Sequence, residues 1–173
     1  LYSTKDPQHS VSWREAVLTG IAPYGGLYMP SHIPTIPLEK LTTLRKLPFV
    51  ELASYTAAHF LEAEIPHLNL QTIASSSFNF PLPLRQLDDH LYVLELFHGP
   101  TCAFKDFGAR FMSHTFRYFL DSKNLPLTVL TATSGDTGGA VANAFLDTQP
   151  NPAIRVAILY PKDRVSDIQR KQM

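Results

Sequence analysis

The period of the apolar positions changes near residue 80 and divides the chain into two textures. Ser12-Trp13-Arg14-Glu15 has capping-box spacing ahead of Ala16-Val17-Leu18, and Gly20 follows as a stop, so a short helix is predicted over 13–19. Tyr24-Gly25-Gly26-Leu27-Tyr28-Met29-Pro30 reads as a glycine turn entering a short extended run. Leu38, Leu41, Leu44 and Leu47 recur every third residue, as on one helical face. A longer helix fits 49–64, with Phe49, Leu52, Ala53, Thr56, Ala57, Phe60 and Leu61 on one side and Glu51, Ser54, His59 and Glu62 on the other. A weaker helical pattern covers 67–76. Residues 1–80 thus read as a mainly helical N-terminal segment, a packing domain or cap with no reactive constellation.

After Pro81 and Pro83 the pattern becomes that of strands. Pro83–Leu87, the turn Asp88-Asp89-His90 and Leu91–Phe97 predict strand, turn, strand. A helix is expected from Asp106, as N-cap, to about Leu120. Arg110, Ser113, His114, Arg117 and Asp121 form its narrow wet stripe, and Phe107, Phe111, Met112, Tyr118 and Phe119 cover much of the remainder. Leu127–Ala132 predicts a buried strand, and a helix rich in small residues follows from Ala140 to Leu146. Ile154 to Tyr160 predicts the next strand and Ser166 the start of another helix. Alternation of strand and helix argues for an α/β fold, with residues 81–173 supplying a partial parallel sheet and flanking helices.

Composition narrows the partners. Among 173 residues, Lys+Arg and Asp+Glu each number 15, and a formal net charge of zero leaves no footprint for nucleic acid or an anionic membrane. One cysteine, Cys102, excludes an intrachain disulfide and is read as a small buried apolar side chain. With no leader-like start and no apolar run long enough to span a bilayer, the expectation is a cytoplasmic protein. The histidines lack metal-ligand spacing, so no metal is expected.

Ligands of open parallel sheets collect at the carboxyl ends of the strands, and three distinctive stretches are expected there. The first is Phe97–Gly108, in which Lys105 stands among Phe104, Phe107 and Ala103 after a Gly-Pro turn. Desolvation favours the neutral amine, the form a Schiff-base lysine needs; the alternative is a lysine at a helix start that keeps its ammonium in water. The second is Thr133-Ser134-Gly135-Asp136-Thr137-Gly138-Gly139. Its backbone N–H groups and hydroxyls suit a carboxylate or phosphate, or it is an ordinary helix start capped by Asp136 or Thr137. It is neither a Walker loop nor a GxGxxG turn. The third is Tyr160–Ser166, where Lys162 and Arg164 read as solvated loop charges. His98 either caps a strand end or acts in the chemistry.

Phe97–Phe111, FHGPTCAFKDFGARF, and Thr131–Gly139, TATSGDTGG, together resemble threonine synthase, a pyridoxal-phosphate enzyme of fold type II. VSWREAVLTGIAPYGGLYMPSHIP near the start and LYPKDRVSDIQRKQM at the end extend the resemblance over essentially the whole chain. Asp163 departs from it, standing where a glycine is expected. The resemblance implies that Lys105 binds pyridoxal 5'-phosphate as a Schiff base and then shuttles protons. It implies that Ser134, Gly135, Asp136 and Thr137 grip the substrate carboxylate, with Asp136 also near the cofactor's ring hydroxyl. The implied reaction converts O-phospho-L-homoserine and water to L-threonine and phosphate through successive carbanions, a carbon-oxygen lyase reaction. Lys162 and Arg164 are candidates for neutralising the leaving phosphate. Members of the family run well beyond 173 residues and carry a later loop for the cofactor phosphate. The chain is therefore expected to be the N-terminal part of such an enzyme, inactive alone. The alternative is a truncated, non-catalytic homologue acting as a binding or interaction protein.

Overall fold

The computed structural model describes residues 1–120, 126–147 and 154–173. The chain divides into two compact units, Leu1–Ser75 and Ser76–Met173.

The first unit opens with β1 (Tyr2–Ser3), antiparallel to β2 (Tyr28–Met29), a pair the apolar pattern is too short to reveal. Between them lies α1 (Trp13–Thr19), where Ser12 accepts a hydrogen bond from Glu15 N–H and Gly20, at φ 77°, terminates the helix. The Glu64 carboxylate receives the N–H groups of Trp13 at 2.6 Å and Arg14 at 3.0 Å, so two orphan donors of α1 are satisfied from a turn some fifty residues later. α2 (Leu38–Leu44), α3 (Phe49–Leu61) and α4 (His67–Ser77) follow. α3 stops three residues before the predicted end, because Glu62 to Ile65 turn to present Glu64 and to bury Ile65. Leu44, Leu61, Ile65, Leu70, Ile73 and Ala74 are buried, whereas Leu38 and Leu41 of the predicted stripe stay exposed.

In the second unit β3 (Leu84–Asp88) and β4 (Leu91–Leu94) form an antiparallel hairpin with a register irregularity between Gln86 and Asp88. This corrects the expected topology: β4 ends at Leu94 rather than Phe97, and the hairpin is a separate two-stranded sheet. Its tight turn returns the chain at once, so β4 finds its partner locally. The parallel sheet consists of β5 (Leu127–Ala132) and β6 (Ile154–Leu159), paired from Leu127 with Ile154 to Ala132 with Leu159. α5 (Lys105–Leu120) and α6 (Asp136–Asp147) pack together through Ala109, Ala140, Val141 and Ala144. Val129 and Val156 of the sheet and Met112 and Phe145 of the helices lie against that cluster. Small side chains let the helix backbones approach closely, as the composition of α6 predicts. α7 (Asp167–Gln172) closes the chain.

Two burial expectations fail. β5 is not wholly buried: its positions alternate, and Leu130 is exposed on the face away from the Val129 cluster. The wet stripe of α5 is also wrong, because Arg110 and Ser113 are buried. The Arg110 guanidinium donates to Ser77 O at 2.9 Å, Ser76 O at 3.0 Å and Asn79 Oδ1 at 3.1 Å, satisfying carbonyls at the end of α4. Ser113 Oγ returns its proton to Arg110 O. His114 and Arg117 are half-buried, and Asp121 lies outside the described residues.

Candidate functional site

Lys105 is placed by a loop that closes on itself. Cys102 N–H donates to Gly99 O at 3.0 Å and Asp106 N–H to Ala103 O at 3.0 Å, a pair of tight turns that needs Cys102 at φ 59°. Asp106 is not the predicted N-cap. It is the second residue of α5, fully buried, and its carboxylate accepts from Thr101 N–H at 2.9 Å and Thr101 Oγ1 at 2.6 Å. Any side chain at Gly99 would collide with that carboxylate, since a Cβ there would lie 2.8 Å from Asp106 Cβ. Cys102, expected buried, is exposed because the left-handed turn directs it outward.

The aromatic neighbours do not desolvate Lys105. Its side chain keeps 32% of its accessible surface, and Nζ lies 4.4 Å from the centre of the Phe104 ring, a cation–π contact. On another side Nζ is 3.9 Å from Asp136 Oδ2. Two motifs some thirty residues apart in sequence are thus joined by one amine–carboxylate contact.

The turn after β5 is built around Thr133. Its N–H continues the ladder to Leu159 O at 2.9 Å, and its Oγ1 receives the N–H groups of Gly135 at 2.9 Å and Gly138 at 3.1 Å. Two N–H donors of the turn are therefore turned inward rather than offered to an anion, which corrects the simple cradle. Gly135, at φ 151°, is buried, while Ser134 and Asp136 are exposed and Thr137 is half-buried. Asp136, the first residue of α6, lies where a carboxylate is favoured by the helix dipole.

The first turn of α7, beyond the loop after β6, contributes a residue that the motifs do not reveal. Gln169 Nε2 donates to Asp136 Oδ1 at 2.8 Å. The signal available was the Ser166-x-x-Gln169 spacing of a capping box, which the structure forms in full. Asp163, at φ 60°, adopts the left-handed conformation that glycine takes freely and aspartate tolerates. Lys162 and Arg164 are exposed, and Lys162 lines a cleft of about 560 Å³ with Tyr160, Asp163, Val165, Asp167 and Arg170 rather than meeting Lys105. His98 Nε2 lies 2.6 Å from Glu95 Oε2, and Arg85 Nε is 3.5 Å from the other Glu95 oxygen. The hydrogen bond with His98 holds the Glu95 carboxyl below its ordinary range against a smaller opposing desolvation, with Arg85 assisting.

These features define an α/β protein whose polar site gathers where a parallel strand pair delivers its carboxyl-end loops to the start of a neighbouring helix. Residues 1–78 match the family model described as threonine synthase N terminus. The whole chain is similar to threonine synthase of Haemophilus influenzae, with 42% identity over 172 residues covering 99% of this chain and 39% of the relative. Its fold matches the crystal structure of threonine synthase from Escherichia coli with a TM-score of 0.90 at 40% identity, over 99% of this chain and 39% of that one. It also matches the PLP-bound threonine synthase from Brucella melitensis with a TM-score of 0.88 at 36% identity, over 99% and 38%. Over essentially its whole length the chain is similar to the N-terminal part of threonine synthases. It spans about two-fifths of the length of the relatives it matches.

Proposed function

We propose that this chain is the lysine-bearing part of a threonine synthase that converts O-phospho-L-homoserine and water to L-threonine and phosphate, with pyridoxal 5'-phosphate held on Lys105. The observation that carries the reading is the contact between Lys105 Nζ and Asp136 Oδ2, 3.9 Å across two distant motifs. The residues present fit the cofactor: a partly exposed primary amine suits an aldehyde, and a carboxylate beside it suits a neighbouring ring hydroxyl. Lys105 and Asp136 would hold it. Pyridoxal phosphate, when bound, supplies the electron sink that stabilises carbanions.

The chain's own groups do the rest. Lys105 Nζ, when free, would take protons from the substrate's α- and β-carbons and, after phosphate has left the γ-carbon, return protons at the γ- and α-carbons while water adds at the β-carbon. Its mounting on the first residue of α5, locked by the buried Asp106–Thr101 bonds, fixes where that proton is taken. Ser134 Oγ and Thr137 Oγ1 flank Asp136 and supply hydroxyl donors for the substrate carboxylate, a task for which the inward-turned Gly135 and Gly138 N–H groups are already committed to Thr133. In this reading residues 1–80 are a helical N-terminal segment and 81–173 begin the cofactor-binding domain. On the same reading the protein works in the cytoplasm. Among the described residues no helix is long and apolar enough to cross a membrane.

Borohydride reduction of the full-length protein after incubation with pyridoxal phosphate is expected to label the peptide containing Lys105. Lys105→Ala abolishes both the label and threonine formation. A label mapped to Lys123 or Lys162 would overturn the assignment.

A further inference from the structure

Gln169 belongs to neither motif that defines the lysine–carboxylate pair, yet it holds the carboxylate on which the pair depends. Its two ends are used differently. In the capping box of α7, Gln169 Oε1 accepts from Ser166 N–H at 3.3 Å, and Gln169 N–H donates to Ser166 Oγ at 3.2 Å. With its oxygen so fixed, Nε2 points at Asp136 and donates to Oδ1 at 2.8 Å. The amide lies directly on the preceding glycine, since a Cβ at Gly135 would come within 2.6 Å of Gln169 Cδ. The other oxygen, Oδ2, is the one facing Lys105 Nζ at 3.9 Å, roughly 1 Å beyond the contact of a closed, charge-assisted hydrogen bond.

We propose that Gln169 is a positioning residue that occupies one oxygen of the Asp136 carboxylate and so keeps Lys105 in a loose ion pair instead of a closed one. The inference rests on the function proposed above only in giving a loosely held amine a use. A carboxylate already satisfied on one side gains less by rotating toward the ammonium. An ammonium clamped by a closed pair keeps its proton and does not attack a carbonyl carbon. A neutral amide does this without adding charge. Asp136 and the Phe104 ring face Lys105, while its chain neighbour Asp106 is turned onto Thr101.

The test is acetylation of Lys105 in the full-length protein without cofactor, using a small activated acetyl ester at fixed pH and site-resolved mass spectrometry. Gln169→Ala is expected to slow acetylation of Lys105 by about two- to fivefold, the range in which one partly exposed ion pair is strengthened. Gln169→Glu retains an oxygen that accepts from Ser166, so the α7 cap survives, but it has no donor for Asp136; it is expected to slow acetylation at least as much as Gln169→Ala. In an Asp136→Asn background, Gln169→Ala should leave the rate unchanged. An unchanged or faster rate in Gln169→Ala, a wild-type rate in Gln169→Glu, or a fall that persists in the Asp136→Asn background overturns the proposal. Cofactor labelling of Lys105 is scored separately on the wild-type protein, so failure of the function reading and failure of this inference are told apart.

Discussion

Asp106 and Asp136 each stand in the first turn of a helix beside Lys105 or its loop, and the fold treats them in opposite ways. Asp106 is wholly buried, with Thr101, five residues earlier, donating to both of its oxygens. Asp136 keeps 55% of its side-chain surface, and Gln169, which donates to it, comes from 33 residues later. A buried carboxylate with local partners fixes the shape of a loop, because breaking it leaves donors unsatisfied at once. An exposed carboxylate with a distant partner stores little stability, and its orientation can be set by a third residue. In the function proposed above, the difference separates the group that builds the site from the group that works in it.

The largest effect on stability is expected at the buried side of this comparison. Asp106→Ala strands Thr101 N–H and Oγ1 and should cost about 3 kcal/mol. Asp106→Asn, which keeps an accepting oxygen, should cost about half as much; denaturant unfolding of the full-length protein measures both. If Asp106→Ala is as stable as the wild type, the clamp is not structural and the contrast collapses.

A smaller effect on stability, and a different readout, is expected at Asp136. Asp136→Ala should change unfolding free energy by no more than about 0.5 kcal/mol, as for other exposed positions. It should nonetheless raise KM and lower kcat of the full-length protein, together on the order of tenfold, because substrate and cofactor lose a positioning group. Steady-state kinetics with unchanged parameters would show that the exposed carboxylate is a helix cap and nothing more.

The smallest effect belongs to Glu95, on the approach to the lysine loop. Its carboxyl is held below the ordinary range, chiefly by the hydrogen bond with His98, so folding gains whatever this pair contributes above the unfolded carboxyl's range. That contribution is lost as pH falls through the lowered folded value. The pair is exposed, so its weight is slight. Glu95→Gln should leave stability at neutral pH nearly unchanged and remove a small acid-side dependence from the unfolding curve. A large loss at neutral pH would mean that Glu95 acts as a second clamp beside Asp106.

Sequence by itself determined the elements whose causes are local. The helices at Trp13–Thr19, Phe49–Leu61 and His67–Ser77 follow from caps and apolar periodicity, and β5, α6 and β6 follow from short apolar runs separated by a glycine turn. Lys105 and the Ser134–Thr137 turn stood out as motifs for the same reason: their residue types are unusual within a window of a dozen positions. Periodicity alone could not show that Arg110 is buried, because its stripe looks polar until the carbonyls of Ser76 and Ser77 arrive to receive its donors. Nor could it show that β4 ends at Leu94 and stays outside the parallel sheet, since an apolar run does not name the sheet it joins. The meeting of Lys105, Asp136 and Gln169 was decided by tertiary structure alone. Three helix starts from distant parts of the sequence converge there, with Asp136 placed between Lys105 and Gln169 by a contact to each.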